Sequence, residues 1–198
     1  MTNPLQSRND ILACLRASSF HMQALRAVRT LNLPDGWIAA GFIRNYVWDI
    51  MHNYSQLTPL NDIDVIYYDA ANQNKTFEKE QEHKLEQMMP GQPWSVKNQA
   101  RMHVKNGDDP YHNLDNALCH WCETVTPIAV RLEPDDTLSL RAPLGLGDLL
   151  NYRCHPTPFA RKNPAKLHDY HDRMREKKWW LIWPEVSVYD MDKQAFPV

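Results

Sequence analysis

No apolar run in this sequence approaches the length needed to span a bilayer. The opening MTNPLQSRND also lacks the charged-then-apolar order of a secretory signal. The expectation is a cytoplasmic protein with no membrane partner. Neither sign of charge dominates: 22 basic residues stand against 24 acidic ones, for a formal net charge of −2. That balance excludes the pervasive positive field of a dedicated nucleic-acid binder and leaves only a local basic patch open. Cysteine is scarce, with four scattered along the chain at 14, 119, 122 and 154. Only Cys119 and Cys122 have ligand-like spacing, and without a second pair they read as reduced thiols on a helix and the turn after it rather than as a zinc site. Sequence repeats and low-complexity tracts are missing too, which excludes a solenoid or a disordered chain.

What remains is an ordinary globular composition, 43% hydrophobic and 23% charged over 198 residues. That length suits a single domain, 1–198, with a core over about 33–142 and a helical extension over about 143–198. Seven tryptophans and 14 prolines point to large packing anchors and a chain cut into short elements.

Apolar residues recur at helical spacing from Ser7 to Leu31, as one bent helix or two short ones, with Ser7 or Asn9 as a cap. After the turn Leu33-Pro34-Asp35-Gly36, the run Trp37–Ala40 suits a buried strand, and Phe42 to about Met51 is helical again. Asp62–Tyr68 has the β-branched and aromatic residues of a strand. Residues 75–89 suit a charged, solvent-facing helix, 94–104 a strand, and 113–121 a short helix. Two β-rich runs around Glu133-Pro134-Asp135-Asp136 form a hairpin, and Leu144–Leu150 enters a short helix. Ala165–Lys178 is a basic helix running into Trp179-Trp180.

Two elements carry chemistry. Asp62 and Asp64 lie two apart on a strand, so their side chains share a face. Like charges held together call for a cation, and hard carboxylate oxygens select Mg2+, or Mn2+, over zinc. Earlier in the chain a buried strand runs through Gly41 into the helix of Arg44 and Asn45, and a helix start offers free N–H groups and a positive dipole end to an anion. Together these parts suit a nucleoside triphosphate, with metal at the reacting phosphorus.

The segments Ala39-Ala40-Gly41-Phe42-Ile43-Arg44-Asn45 and Asn61-Asp62-Ile63-Asp64-Val65 resemble the signature of the DNA polymerase β superfamily. They come nearest to the glycine–arginine motif of CCA-adding enzymes. The chain also resembles a bacterial nucleotidyltransferase family, through Trp94–His103, Glu123–Thr126 and Gly145–Asp148. The resemblance implies an α+β fold: a polymerase β-like core of mixed β-sheet flanked by helices, with an additional hairpin and a C-terminal helix. It implies a metal-dependent nucleotidyltransferase that moves a nucleoside monophosphate from an NTP to an unknown acceptor and releases pyrophosphate. Asp62 and Asp64 would be catalytic and metal-binding, and Gly41, Arg44 and Asn45, with Asn98 and Arg101, nucleotide-binding.

Two departures stand out. Phe42 occupies a place where the superfamily has a small residue, and 94–104 lacks the usual third carboxylate, leaving Asn98 or Glu123 to replace it. Each also has a plain structural reading, Asn98 as a satisfied strand residue and Glu123 as a cap or surface acid. Lys97, Gln99 and Arg101 would share a strand face as a cationic row. Asp148 reads as a helix-start acid, and His168 with His171 is too bare a pair for zinc. Arg173, Arg175, Lys177 and Lys178 beside Trp179 and Trp180 read as a closing helix over the core, with RNA stacking as the rival. Two alternatives to catalysis follow: an inactive nucleotide-binding module of the same fold, or an RNA-binding protein.

Overall fold

Ser18 divides the first helical stretch in two. Its hydroxyl accepts from the His21 N–H, so the computed structural model has α1 (Arg8–Ala17), opened by a capping box between Ser7 and Asp10, and α2 (Ser19–Thr30). The structure describes residues 5–190, so residues 1–4 and 191–198 of the expected domain lie outside it. β1 (Trp37–Ala39) follows, then α3 (Gly41–Met51), β2 (Ile63–Tyr67), α4 (Lys75–Met88) and β3 (Trp94–Asn98). Beyond β3 a single 3-10 turn leads into α5 (Met102–Asn106), and α6 is Leu114–Cys119. β4 (Ala129–Leu132) and β5 (Leu138–Arg141) form the expected hairpin, and α7 is Gly147–Leu150. The chain continues through β6 (Arg153–Cys154), α8 (Pro158–Lys162), α9 (Pro164–Lys177), α10 (Trp179–Ile182) and β7 (Ser187–Val188).

The five longer strands make a mixed sheet in the order β3-β2-β1-β4-β5. β1 pairs antiparallel with both β2 and β4, whereas β2 and β3 are parallel and are joined by the α4 crossover. Alternation along β2 divides its side chains. Ile63, Val65 and Tyr67 enter the large cluster under the helices, while Ile66 joins Ala39, Leu114 and Leu118 on the opposite face, the face that Asp64 shares. That large cluster runs from Leu5 through Trp48 to Trp179, Trp180 and Trp183, so the C-terminal tryptophans are buried anchors. Trp48 packs its ring 5.1 Å from that of Trp183, and Asp49 accepts from the Trp183 indole N–H at 2.8 Å. Among the described residues no helix is long and apolar enough to cross a membrane.

Two expectations need correction. The strand expected over 94–104 stops at Asn98, because the Asn98 side chain accepts from the Ala100 N–H and turns the chain into a helical cap. α4 is not wholly solvent-facing: Glu78, Gln81 and Leu85 are buried, and Glu78 accepts from the Asn98 N–H at 2.8 Å.

Candidate active site

The junction between β1 and α3 is made by a strained residue. Ala40 has φ 55° and ψ −121°, a conformation that L-residues rarely hold. Its own N–H is spent on the Ile128 carbonyl at 2.9 Å, and its carbonyl accepts from the N–H groups of Ile43 and Arg44. The sharp turn between strand and helix therefore falls on Ala40, and Gly41 itself opens α3. No side chain caps this helix. The N–H groups of Gly41 and Phe42 have no hydrogen-bond partner among the described residues, and Gly41, at the positive dipole end, lines a cavity with Arg44 and Asn45. Phe42 turns into the core, so its bulk stays off the cavity side.

Arg44 stands one turn into α3 and is only 7% exposed. Its Nη2 donates to the Asn45 carboxamide oxygen at 2.9 Å, and its guanidinium lies 4.0 Å from the ring centre of Trp179. No carboxylate forms an ion pair with it among the described residues, and its Nε has no partner. Burial lowers its pKa to about 10, opposed by the more distant charges of Glu123 and Asp64, so it remains a cation at neutral pH. A buried cation held without a partner anion carries a desolvation penalty that an arriving anion would offset.

Asp64 stands opposite Ala39 on β1 and Ser95 on β3, and Asp62 precedes the first residue of β2. Burial raises Asp64 to about 6, and the neighbouring charge of Asp62 pushes it the same way. Arg44, Lys97 and Arg173 act in the opposite sense without cancelling that shift.

Two cavities meet at these acids. One, of about 360 Å3, runs over the start of α3 and is lined by Gly41, Arg44, Asn45, Lys177 and Trp179. The other, of about 420 Å3, lies on the β3 side, between Lys97, Lys105, Trp121 and Lys166. Ala40, Asp62, Asp64, Thr126 and Arg173 line both. Arg173, on α9, donates its Nε–H to the carboxylate of Glu123, which is 1% exposed and also accepts from Thr126 Oγ1 at 3.0 Å. The charge of Glu123 raises the Arg173 pKa further.

Gly41, Arg44, Asn45, Asp62 and Asp64 are thus brought together as the sequence suggested. Asn98 and Arg101 are not. Asn98 is fully buried, and its amide donates to the carbonyls of Asp69 and Asn72, holding the loop after β2. Arg101 sits beyond the end of β3 with its Nε 2.7 Å from the buried Glu78 carboxylate. The cationic row therefore dissolves, leaving only Lys97 and Gln99 at the cavity. Glu123 lines the cavity but is occupied by Arg173, and Asp148 accepts from Thr124 and His155. Among the described residues no group of three or more His, Cys, Asp or Glu gathers as a metal cluster, His168 and His171 included. Sequence reasoning placed Arg173 and Lys177 on a basic helix without connecting them to this site. Their spacing of four, which puts both on one helical face, was the available signal.

A nucleotidyltransferase family model matches residues 26–188. Among solved structures, the chain is 30% identical to a protein whose NMR structure is described as a CCA-adding enzyme head domain. That match has a TM-score of 0.84 and covers 96% of this chain and 99% of that one. A CCA-adding enzyme in complex with CTP matches with a TM-score of 0.58 at 13% identity, over 93% of this chain and 44% of that one, a likeness of fold. No curated protein matches the chain.

Proposed function

The chain belongs to the nucleotidyltransferase family, and from that premise we infer that it transfers a nucleoside monophosphate from a nucleoside triphosphate to an acceptor, with Mg2+ (or Mn2+) and release of pyrophosphate. One observation carries the reading. A buried, unpaired guanidinium and an uncapped helix start face the same cavity as a pair of carboxylates, one of which is held well above its ordinary pKa. Cation and anions line one cavity without an ion pair between them among the described residues, which suits a ligand that brings both charges: a phosphate tail and its divalent ion.

The donor set fits Mg2+. Such an ion is commonly held by one or two carboxylates, with substrate phosphates and water completing its shell, so a larger protein cluster is not required. Asp62 and Asp64 would hold it, and when bound it would neutralise charge developing on the phosphate oxygens. The Gly41 and Phe42 N–H groups and Arg44 would bind the β- and γ-phosphates. Asn45 orients Arg44 through its carboxamide oxygen. Arg173, held by Glu123 between the two cavities, would fix the α-phosphate by its remaining guanidinium donors.

Isothermal titration with an α,β-methylene nucleoside triphosphate tests this. Binding should require Mg2+ and disappear in Asp62→Asn and Asp64→Asn proteins of unchanged fold, and equal binding with and without the ion would refute it. The inactive-module reading draws on the Glu123–Arg173 pair, which occupies the carboxylate best placed to serve as a third acid. Nucleotide binding without pyrophosphate release would favour that reading. The burial of Trp179 and Trp180 removes the stacking platform that the RNA-binding alternative needs.

A further inference from the structure

A triphosphate bound over the start of α3 leaves the larger of the two cavities without a role, and the role assigned to it here rests on the nucleotidyl-transfer reading. In-line transfer places the attacking oxygen and the departing pyrophosphate on opposite sides of the α-phosphorus. The start of α3, which suits the pyrophosphate end, lies in one cavity, and the aspartates form the boundary with the other. We propose that this second cavity is the acceptor site, and that it takes a small acceptor bearing a phosphate group as well as the attacking hydroxyl.

Charge decides the class. Lys97 of β3, Lys105 of α5 and Lys166 of α9 come from three separate elements and converge on the cavity with Arg173. Four acids line it as well: Asp62, Asp64, Glu123 and Asp169. Four cations against four acids sum to zero, so the pairing of each cation decides what the cavity can bind. Three of these cations are already paired: Lys97 with Glu82 at 2.9 Å, Lys166 with Asp108 at 3.6 Å, and Arg173 with Glu123. Lys105 is exposed and has no acidic partner among the described residues. Lys105 is therefore the cation that an acceptor's phosphate would meet in this cavity.

Size and shape limit the acceptor further. About 420 Å3 is the scale of a small-molecule pocket. Trp121 and His120 give it an aromatic wall, with His120 braced by Phe159 at 4.0 Å between ring centres. The His120 Nδ1–H donates to the Asn116 carbonyl at 2.7 Å, which leaves Nε2 as an acceptor for a ligand hydroxyl. In the transfer, the acceptor oxygen bonds to the α-phosphorus as the bond from that phosphorus to its bridging oxygen breaks. Pyrophosphate departs with the electron pair, and the hydroxyl proton passes to water.

The test follows the Trp121 indole N–H by NMR in protein saturated with Mg2+ and the α,β-methylene analogues of ATP and CTP, comparing ribose 5-phosphate with ribose. Ribose 5-phosphate should shift that signal and bind at least roughly tenfold more tightly, the gain of one charge-assisted phosphate contact. Lys105→Glu should abolish the difference while leaving analogue affinity unchanged. Equal binding of the two sugars overturns the proposal, as does displacement of the analogue by ribose 5-phosphate. A short single-stranded RNA with a free 3′ hydroxyl that binds more tightly through the same lysines overturns the small-acceptor assignment. Failure of both analogues to bind with Mg2+ would instead sink the nucleotidyl-transfer reading, and this inference with it.

Discussion

Replacing Asp64 by asparagine should make the metal-free protein more stable. Asp64 rises from 3.8 to about 6 on folding, first through burial and then through the charge of Asp62. A native carboxyl that holds its proton more tightly than the unfolded one makes the native state the better proton binder between those two values, so stability falls as pH climbs through that window. About two units at roughly 1.4 kcal/mol each set the ceiling near 3 kcal/mol at neutral pH. Because Asp64 is only partly covered, and the carboxamide brings its own desolvation, a gain of about 1–3 kcal/mol is expected. For a chain of this length each kcal/mol moves Tm by about 2–4 °C, so the variant should melt roughly 2–12 °C higher near pH 7.5. The gap should narrow as pH falls below about 6 and close below 3.8, where the wild-type carboxyl is protonated in both states. Differential scanning calorimetry of both proteins from about pH 3 to about pH 8 follows this group and its coupling to Asp62, since acids that do not interact with Asp64 cancel in the comparison. Saturating Mg2+ should raise the wild-type Tm and leave the variant unmoved. A variant less stable than wild type at neutral pH, or a gap that ignores pH, would refute the electrostatic reasoning.

Arg44→Lys keeps a charge but loses the planar fork, and calorimetric titration should show triphosphate affinity reduced by about 10- to 100-fold, the worth of one or two charge-assisted hydrogen bonds. Arg101→Ala breaks the pair with buried Glu78 and should lower unfolding stability by about 3 kcal/mol in denaturant titration, with nucleotide affinity unchanged. Altered affinity there would return Arg101 to the site. Asp49→Ala leaves the Trp183 indole and the Thr58 N–H unsatisfied and should lower stability by about 2–4 kcal/mol. Its signature is earlier exposure of Trp183, read by tryptophan fluorescence during unfolding.

How much was legible in the sequence depended on the range of the interaction. The aspartate pair and the strand–helix junction were readable because periods of two and 3.6 act over a few residues. Arg44 and Asn45 followed from their place on the first turn. The end of β3 was missed because a single side-chain cap, Asn98 to Ala100, overrode the strand pattern. Arg101 was then misplaced, since continued alternation would have aimed it at the cavity. The division of labour between Glu123 and Arg173 spans 50 positions, and that of Arg44 with Trp179 spans the chain from α3 to α10. Neither leaves a local signature. The offset at Ala40 was hidden for another reason: the sequence offered a glycine beside it, and the strained backbone fell on the alanine.

The decisive measurement is the fate of label from nucleoside triphosphates carrying 32P at the α or the γ position, incubated with the protein, Mg2+ and a small-molecule cell extract. Label should enter an acceptor from the α position only, leave as pyrophosphate from the γ position, and stay in the triphosphate with Asp62→Asn or Asp64→Asn. Transfer of the γ label, or undiminished transfer by both variants, would contradict nucleotidyl transfer at this aspartate pair.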